Sequence, residues 1–177
     1  MSETMPNVVE SRSEIRLPAE KLTTSADMKE ALIEEEGVRF TVYRDGAGHP
    51  TVGVGHLVQA RDKIEVGDRI SRDDALDLFE RDLALAEQVV VRLAGDTPLY
   101  QHEFDALVDL AFNVGEGSLS VQNSPRLNAA IQARDHEAIA AELDYIQAGN
   151  ATAKGLVYRS ERRVAIFTDG AYDNPRG

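Results

Sequence analysis

Residues 36–56, EGVRFTVYRDGAGHPTVGVGH, decide how the chain is read. Glu36-Gly37 has the form of a helix end, with the glycine just past the last helical residue. Residues 38–43 then alternate, so Val38, Phe40 and Val42 fall on one side of a strand and Arg39, Thr41 and Tyr43 on the other. Turn residues follow in Asp45-Gly46-Ala47-Gly48-His49-Pro50, and the chain returns through Thr51-Val52-Gly53-Val54-Gly55, alternating again. The stretch predicts a β-hairpin entered directly from a helix. Its apolar side carries Val52, Val54 and His56 toward a core. Its polar side collects Thr41, Tyr43, Asp45, Thr51, Gly53 and Gly55, where glycines leave room for a ligand to approach the backbone.

Working outward, Ser25 reads as the N-cap of the helix that ends at Glu36, with Asp27 in its first turn and Met28 and Leu32 on its apolar stripe. Residues 1–23 are polar, contain Pro6 and Pro18, and read as an N-terminal arm. On the other side Ser71, followed by Asp73 and Asp74, predicts a second helix to about Leu93, stopped by Gly95. Its stripe is Ala75, Leu78, Phe79, Ala86, Val89, Val90 and Leu93, and one acid, Asp82, lies on the same face. Such a helix is long enough to tie two lobes together.

Thr97-Pro98 reads as N-cap and first residue of a third helix, with Phe104, Leu107, Val108, Ala111 and Phe112 on one face and Gly115 and Gly117 at its end. Ser124-Pro125 starts a shorter helix through about Ala133, and Asp135 caps another through about Ile146. Residues 147–154 read as a polar loop, and Val157, Val164, Ile166 and Phe167 mark a last helix before a tail at 171–177. The expected architecture is α+β, mainly α. A small N-terminal lobe with the hairpin is joined by the long helix to a helical C-terminal lobe, with a cleft between them.

Composition bounds the function. The 177 residues carry a net charge of −12, which argues against nucleic acid, since phosphate binding needs clustered Lys and Arg. No run reaches the roughly 18–20 apolar residues of a membrane span, so no membrane insertion is expected, and the first residues do not read as a signal peptide. With no cysteine, thiolate nucleophiles and cysteine-ligated metals are excluded. His49, His102 and His136 have no metal-ligand spacing and read as surface residues; no metal and no cofactor is expected. Arg159, Arg162 and Arg163 form a basic segment that, by charge alone, reads as a solvated helix face.

Two carboxyls stand out. Glu36 lies at the negative end of a helix beside Glu34 and Glu35, which favours its neutral form, while a nearby arginine would oppose that. Asp45, in a turn rich in backbone donors, is expected to stay ionised. Paired carboxyls with different proton affinities are what acid-base cleavage of a glycosidic bond requires. Taken alone, a Glu before a C-terminal glycine and an Asp opening a turn are ordinary features.

The whole string says more. Glu36-Gly37, Tyr43-x-Asp45, Gly48 and Thr51-Val52-Gly53-Val54-Gly55-His56, with Phe104-Asp105-Ala106-Leu107-Val108, Phe112-Asn113-Val114-Gly115 and Gly155-Leu156-x-x-Arg159, resemble the phage-type lysozymes, glycoside hydrolase family 24. The resemblance spans most of residues 25–170 and implies a lysozyme-like catalytic domain over 24–170. It implies hydrolysis of the β-1,4 bond between N-acetylmuramic acid and N-acetylglucosamine in bacterial peptidoglycan, with inversion, by a monomer. In that reading Glu36 protonates the leaving oxygen, and Asp45 and Thr51 position the attacking water. Tyr43, Gly53, Gly55, Asn113 and Arg159 contact substrate or the acid, with Arg162 as the alternative to Arg159. His56, on the apolar side of the hairpin, pairs structurally with Asp82.

Such an enzyme would stay in the host cytoplasm until a partner pore releases it to the wall. Three departures from the family pattern are visible: no tryptophan for sugar stacking, a segment at 122–125 one residue shorter than usual, and Arg163 where many relatives carry Glu. Other readings remain open: a non-catalytic peptidoglycan-binding or virion structural protein, an antibacterial effector with the same chemistry, or a lytic transglycosylase, which needs no water base.

Overall fold

The computed structural model describes residues 15–144, 147–148, 151–152 and 154–173. The expectations for 1–14 and for the last four residues of the tail lie outside the described residues. A 3-10 turn at Ala19–Lys21 leads into α1 (Ala26–Glu36), the strands β1 (Arg39–Arg44), β2 (Pro50–Gly53) and β3 (His56–Leu57), and the long helix α2 (Arg72–Ala94). Then come α3 (Gln101–Ser118), α4 (Pro125–Gln132), α5 (His136–Glu142), the two-residue strands β4 (Gln147–Ala148) and β5 (Ala151–Thr152), and α6 (Lys154–Asp169). The fold is mainly helical with one small three-stranded antiparallel sheet in the order β1-β2-β3.

Local chemistry explains the helix ends. The Ser25 hydroxyl accepts from the Met28 amide, and Ser71 and Asp74 cap each other reciprocally at the start of α2. Pro125 occupies the first turn of α4, where its missing N–H costs nothing. Gly115, at φ 75° and ψ 164°, breaks α3 where the sequence placed its end.

Several expectations change. The alternation of residues 38–43 does not hold, because β1 carries a register irregularity between Arg39 and Tyr43. There its other edge pairs with residues 67–70: Val42 N donates to Asp68 O, and Ile70 N to Phe40 O. Val42 is buried, but Val38 and Phe40 are exposed. The hairpin gains a third strand, β3, paired with β2 through Val52 and His56. Helix α3 starts at Gln101, not at Pro98, because Leu99 is held extended in two backbone hydrogen bonds with Leu17, both 2.8 Å. Helix α5 ends at Glu142 rather than Ile146, and the polar loop contains the β4-β5 pair.

Two apolar clusters form, as burial of one face of each element requires. Val42, Val52 and Leu78 make the small one under the sheet. The large one gathers residues of α1 to α6, including Leu32, Phe79, Leu83, Phe104, Leu107, Ile139 and Ile166. Helix α2 contributes to both, so it joins the lobes. Residues 15–23 belong to this body: Arg16 makes a two-point ion pair with Glu103, stacks on Tyr100, and Ala19 is buried in the core.

Candidate active site

Glu36 is the last residue of α1, and Gly37 closes the helix by donating to Ile33 O. One carboxylate oxygen, Oε1, accepts from Arg159 Nη1 at 2.5 Å. The other, Oε2, lies over Gly55: a Cβ built there would stand 3.3 Å from it. Gly55 has φ +71°, which a residue with a side chain rarely adopts. Glycine is therefore needed twice over, for the turn between β2 and β3 and for space beside the carboxylate. The arginine that pairs with Glu36 is Arg159, not Arg162.

Asp45 opens the turn between β1 and β2. Its Oδ1 accepts from the amides of Ala47 (2.9 Å) and His49 (2.8 Å), and its Oδ2 lies 3.6 Å from His49 Nδ1. These donors, the His49 amide foremost, hold the carboxyl below the usual aspartate range, so Asp45 is ionised at neutral pH. Thr51 sits at the base of the same turn, paired with Tyr43 across the strands, and its hydroxyl donates to His49 O at 3.1 Å. Arg39 stacks over the Tyr43 ring at 4.3 Å.

The glycines separate. Gly55 borders Glu36, whereas Gly53 is buried and faces Ala75 of α2, where a Cβ would find contacts at 3.6 Å. Gly53 lets the sheet approach the long helix, and the expected ligand floor reduces to Gly55. A cleft of about 390 Å³ is lined by Gly55, Leu57, Asp82, Arg92, Phe112 and Glu116, and it meets the proposed catalytic groups only through Gly55, since Glu36, Asp45 and Thr51 are not among its lining residues. An Arg92–Glu116 ion pair of 2.8 Å joins α2 to α3 at its edge. Asn113 is half-buried on α3, next to Phe112 but not among the residues lining this cleft.

His56 is buried, as its side of the hairpin implied, and Nδ1 lies 2.8 Å from Asp82. Sequence reasoning missed its second partner: Nε2 lies 3.0 Å from Asp62. Only an imidazolium can donate from both ring nitrogens, and the Asp82 contact, then Asp62, raises its pKa against the effect of burial. His49 is exposed, while His102 and His136 are half-buried and engaged. His102 stacks on Tyr100 and reaches Ile166 O, while His136 Nδ1 lies 3.2 Å from the buried Glu103. Among the described residues no cluster of three or more His, Cys, Asp or Glu could hold a metal ion.

The basic segment is also not solvated. Arg159, Arg162 and Arg163 are all buried on α6. Arg159 Nη2 donates to Asp109 Oδ1 at 3.0 Å, and Arg163 Nε to Asp109 Oδ2 at 2.6 Å. Arg162 binds Glu34 and the carbonyl of Tyr172. Asp109 was missed as well, although an acid inside the apolar face of residues 104–112 is a signal of a buried partner.

A helix-terminal carboxylate backed by an arginine and facing Gly55, together with an ionised aspartate in the hairpin turn of a small sheet that a long helix joins to a helical lobe, defines a lysozyme-like protein. The chain belongs to the phage lysozyme family, whose sequence profile matches residues 33–163, well over half of it. It is similar to the endolysin of Salmonella phage P22, 34% identical over 90 residues that cover 50% of this chain and 61% of that one. It also resembles the pre-baseplate central spike protein Gp5 of Enterobacteria phage T4, 30% identical over 119 residues, 55% of this chain and 21% of that protein. The chain thus spans less than two thirds of the length of either relative. Among solved structures, the muramidase domain of SpmX from Asticaccaulis excentricus superposes with a TM-score of 0.70 at 27% identity, over 84% of this chain and 99% of that domain.

Proposed function

We propose that the protein is a muramidase that hydrolyses the β-1,4 bond between N-acetylmuramic acid and N-acetylglucosamine in peptidoglycan. The observation that carries this is the Glu36 carboxylate, held by Arg159 on one oxygen and facing Gly55, one of the residues that line the cleft, with the other. Family membership and the endolysin and muramidase relatives support it. Glu36 donates a proton to the glycosidic oxygen as the bond to C1 breaks. A water attacks C1 from the opposite face, and Asp45 takes its proton. Asp45 Oδ1 is already engaged by two amides, which leaves Oδ2 for that water. The Thr51 hydroxyl spends its hydrogen on His49 O and can accept from the water. One displacement of this kind inverts the anomeric configuration.

Tyr43, in register with Thr51, and Asn113, next to Phe112 of the cleft, are the side chains we assign to substrate contact. Glu36, Asp45, Thr51 and Arg159 all come from one chain, so the site works in a monomer. Endolysin relatives suggest the setting: the enzyme meets the wall once a partner pore has released it from the host cytoplasm. No helix among the described residues is long and apolar enough to cross a membrane.

The test is digestion of purified peptidoglycan by wild type and by Glu36→Gln, reading newly formed reducing ends. Wild type is expected to produce them and the variant to lose at least about 100-fold while unfolding at a similar temperature. A variant with full activity would remove Glu36 from the mechanism. A correctly folded wild type that forms no ends would leave a wall-binding protein on the same fold.

A further inference from the structure

Behind the exposed Glu36, two arginines and one aspartate form a buried row. Glu36 Oε1 meets Arg159 Nη1, Arg159 Nη2 meets Asp109 Oδ1, and Asp109 Oδ2 meets Arg163 Nε. Arg163 is among the most deeply buried side chains, at 1% exposure, and Asp109 is at 5%. Arg159 and Arg163 are four residues apart on α6 and so share a face, where like charges repel. The Asp109 carboxylate from α3 stands between them. Burial alone would raise its pKa, but Arg163 and Arg159 together hold it below the usual aspartate range, so it is ionised. The other charged groups near the row are spoken for: Arg162 by Glu34 and Glu35, and Asp144 by the Ser160 hydroxyl. One Arg163 nitrogen, Nη2, has no partner among the described residues.

The row has a consequence for the proton on Glu36. Were Arg159 the only charge behind it, the guanidinium would favour the carboxylate in full. Asp109 draws part of that charge away, and Arg163 in turn draws on Asp109. We infer that Asp109 and Arg163 are positioning residues that set how strongly Arg159 acts on Glu36, and thereby set the alkaline limit of the proposed reaction. Neither touches substrate. The inference rests on the reading of Glu36 as the acid, but its sign does not: it concerns proton affinity at Glu36, which can be measured without turnover.

Two single variants shift that affinity in opposite directions. Asp109→Asn keeps the shape and an accepting oxygen but leaves Arg159 uncompensated, so Glu36 is expected to release its proton at a lower pH than in wild type. Arg163→Gln leaves Asp109 wholly to Arg159, so Glu36 is expected to hold its proton to a higher pH. The double variant removes a neutral pair and is expected to return toward wild type. The readout is the Glu36 side-chain carboxyl ¹³C chemical shift against pH for wild type and the three variants, with the alkaline limb of kcat/KM on peptidoglycan as companion. A merely structural pair would lower activity in both single variants with no opposed shifts. If the single variants move the Glu36 titration in the same direction, or not at all, the inference is overturned, and Arg163→Gln with the double variant decides it should Asp109→Asn fail to fold. Opposed titration shifts without any turnover by wild type would instead contradict the proposed function and leave the row intact.

Discussion

Gly55 shows at the scale of one residue why this site tolerates little change. Gly55→Ala must place a Cβ at φ +71° and 3.3 Å from Glu36 Oε2. Gly53→Ala has a similar backbone, φ +64°, but the nearest atoms to its Cβ would be those of Ala75, in ordinary contact at 3.6 Å. Each change is expected to cost about 1–2 kcal/mol through the left-handed backbone, measured by urea denaturation. Only the first is expected to reduce glycan cleavage beyond its effect on the folded fraction, because only it displaces Glu36. Equal specific activity in the two variants would contradict that assignment. The resemblance in the sequence pointed to Gly55 and Arg159. It did not reveal Asp109 and Arg163 as partners, because a charge count treats every arginine as solvated, and the acid that neutralises Arg163 lies 54 positions away on another helix.

Among the elements, α1, α2 and α4 were legible because caps and helical periodicity are local signals: Ser25, Ser71 and Pro125 each stand where the helix begins. The errors came where backbone pairing with residues outside the element overrides local pattern. Alternation in β1 failed at its register irregularity between Arg39 and Tyr43, where residues 67–70 pair with its other edge, and the start of α3 slipped to Gln101 because Leu17 takes Leu99 into an extended pair.

The His56 contacts to Asp82 and Asp62 tie β3 to α2 and to the short turn at Ala60–Asp62. Since the folded pKa of His56 is raised, the charge contribution is complete below about 6.5 and is lost as pH rises through the higher folded value. Asp82→Asn is therefore expected to cost about 1.5–3 kcal/mol at pH 5 and clearly less at pH 9. Urea midpoints for wild type and variant at the two pH values check this, and a gap independent of pH would refute the charged pair.

At the scale of the whole molecule, α2 runs through both apolar clusters and fixes the sheet, with Asp45 and Thr51, against the helical lobe that supplies Arg159. The α+β plan with two lobes and a joining helix was legible because each part has its own periodicity. The depth of the arginine row was not, because it exists only once α1, α3 and α6 pack. The central claim is that Glu36 acts as an acid while Asp45 and Thr51 deliver water. Its most direct test is mass spectrometry of muropeptides after digestion of purified peptidoglycan in ¹⁸O-labelled water. The account predicts fragments ending in reducing N-acetylmuramic acid with a single ¹⁸O at C1, absent with Glu36→Gln. Anhydro-muramic ends without label, or labelled ends on N-acetylglucosamine, would contradict it.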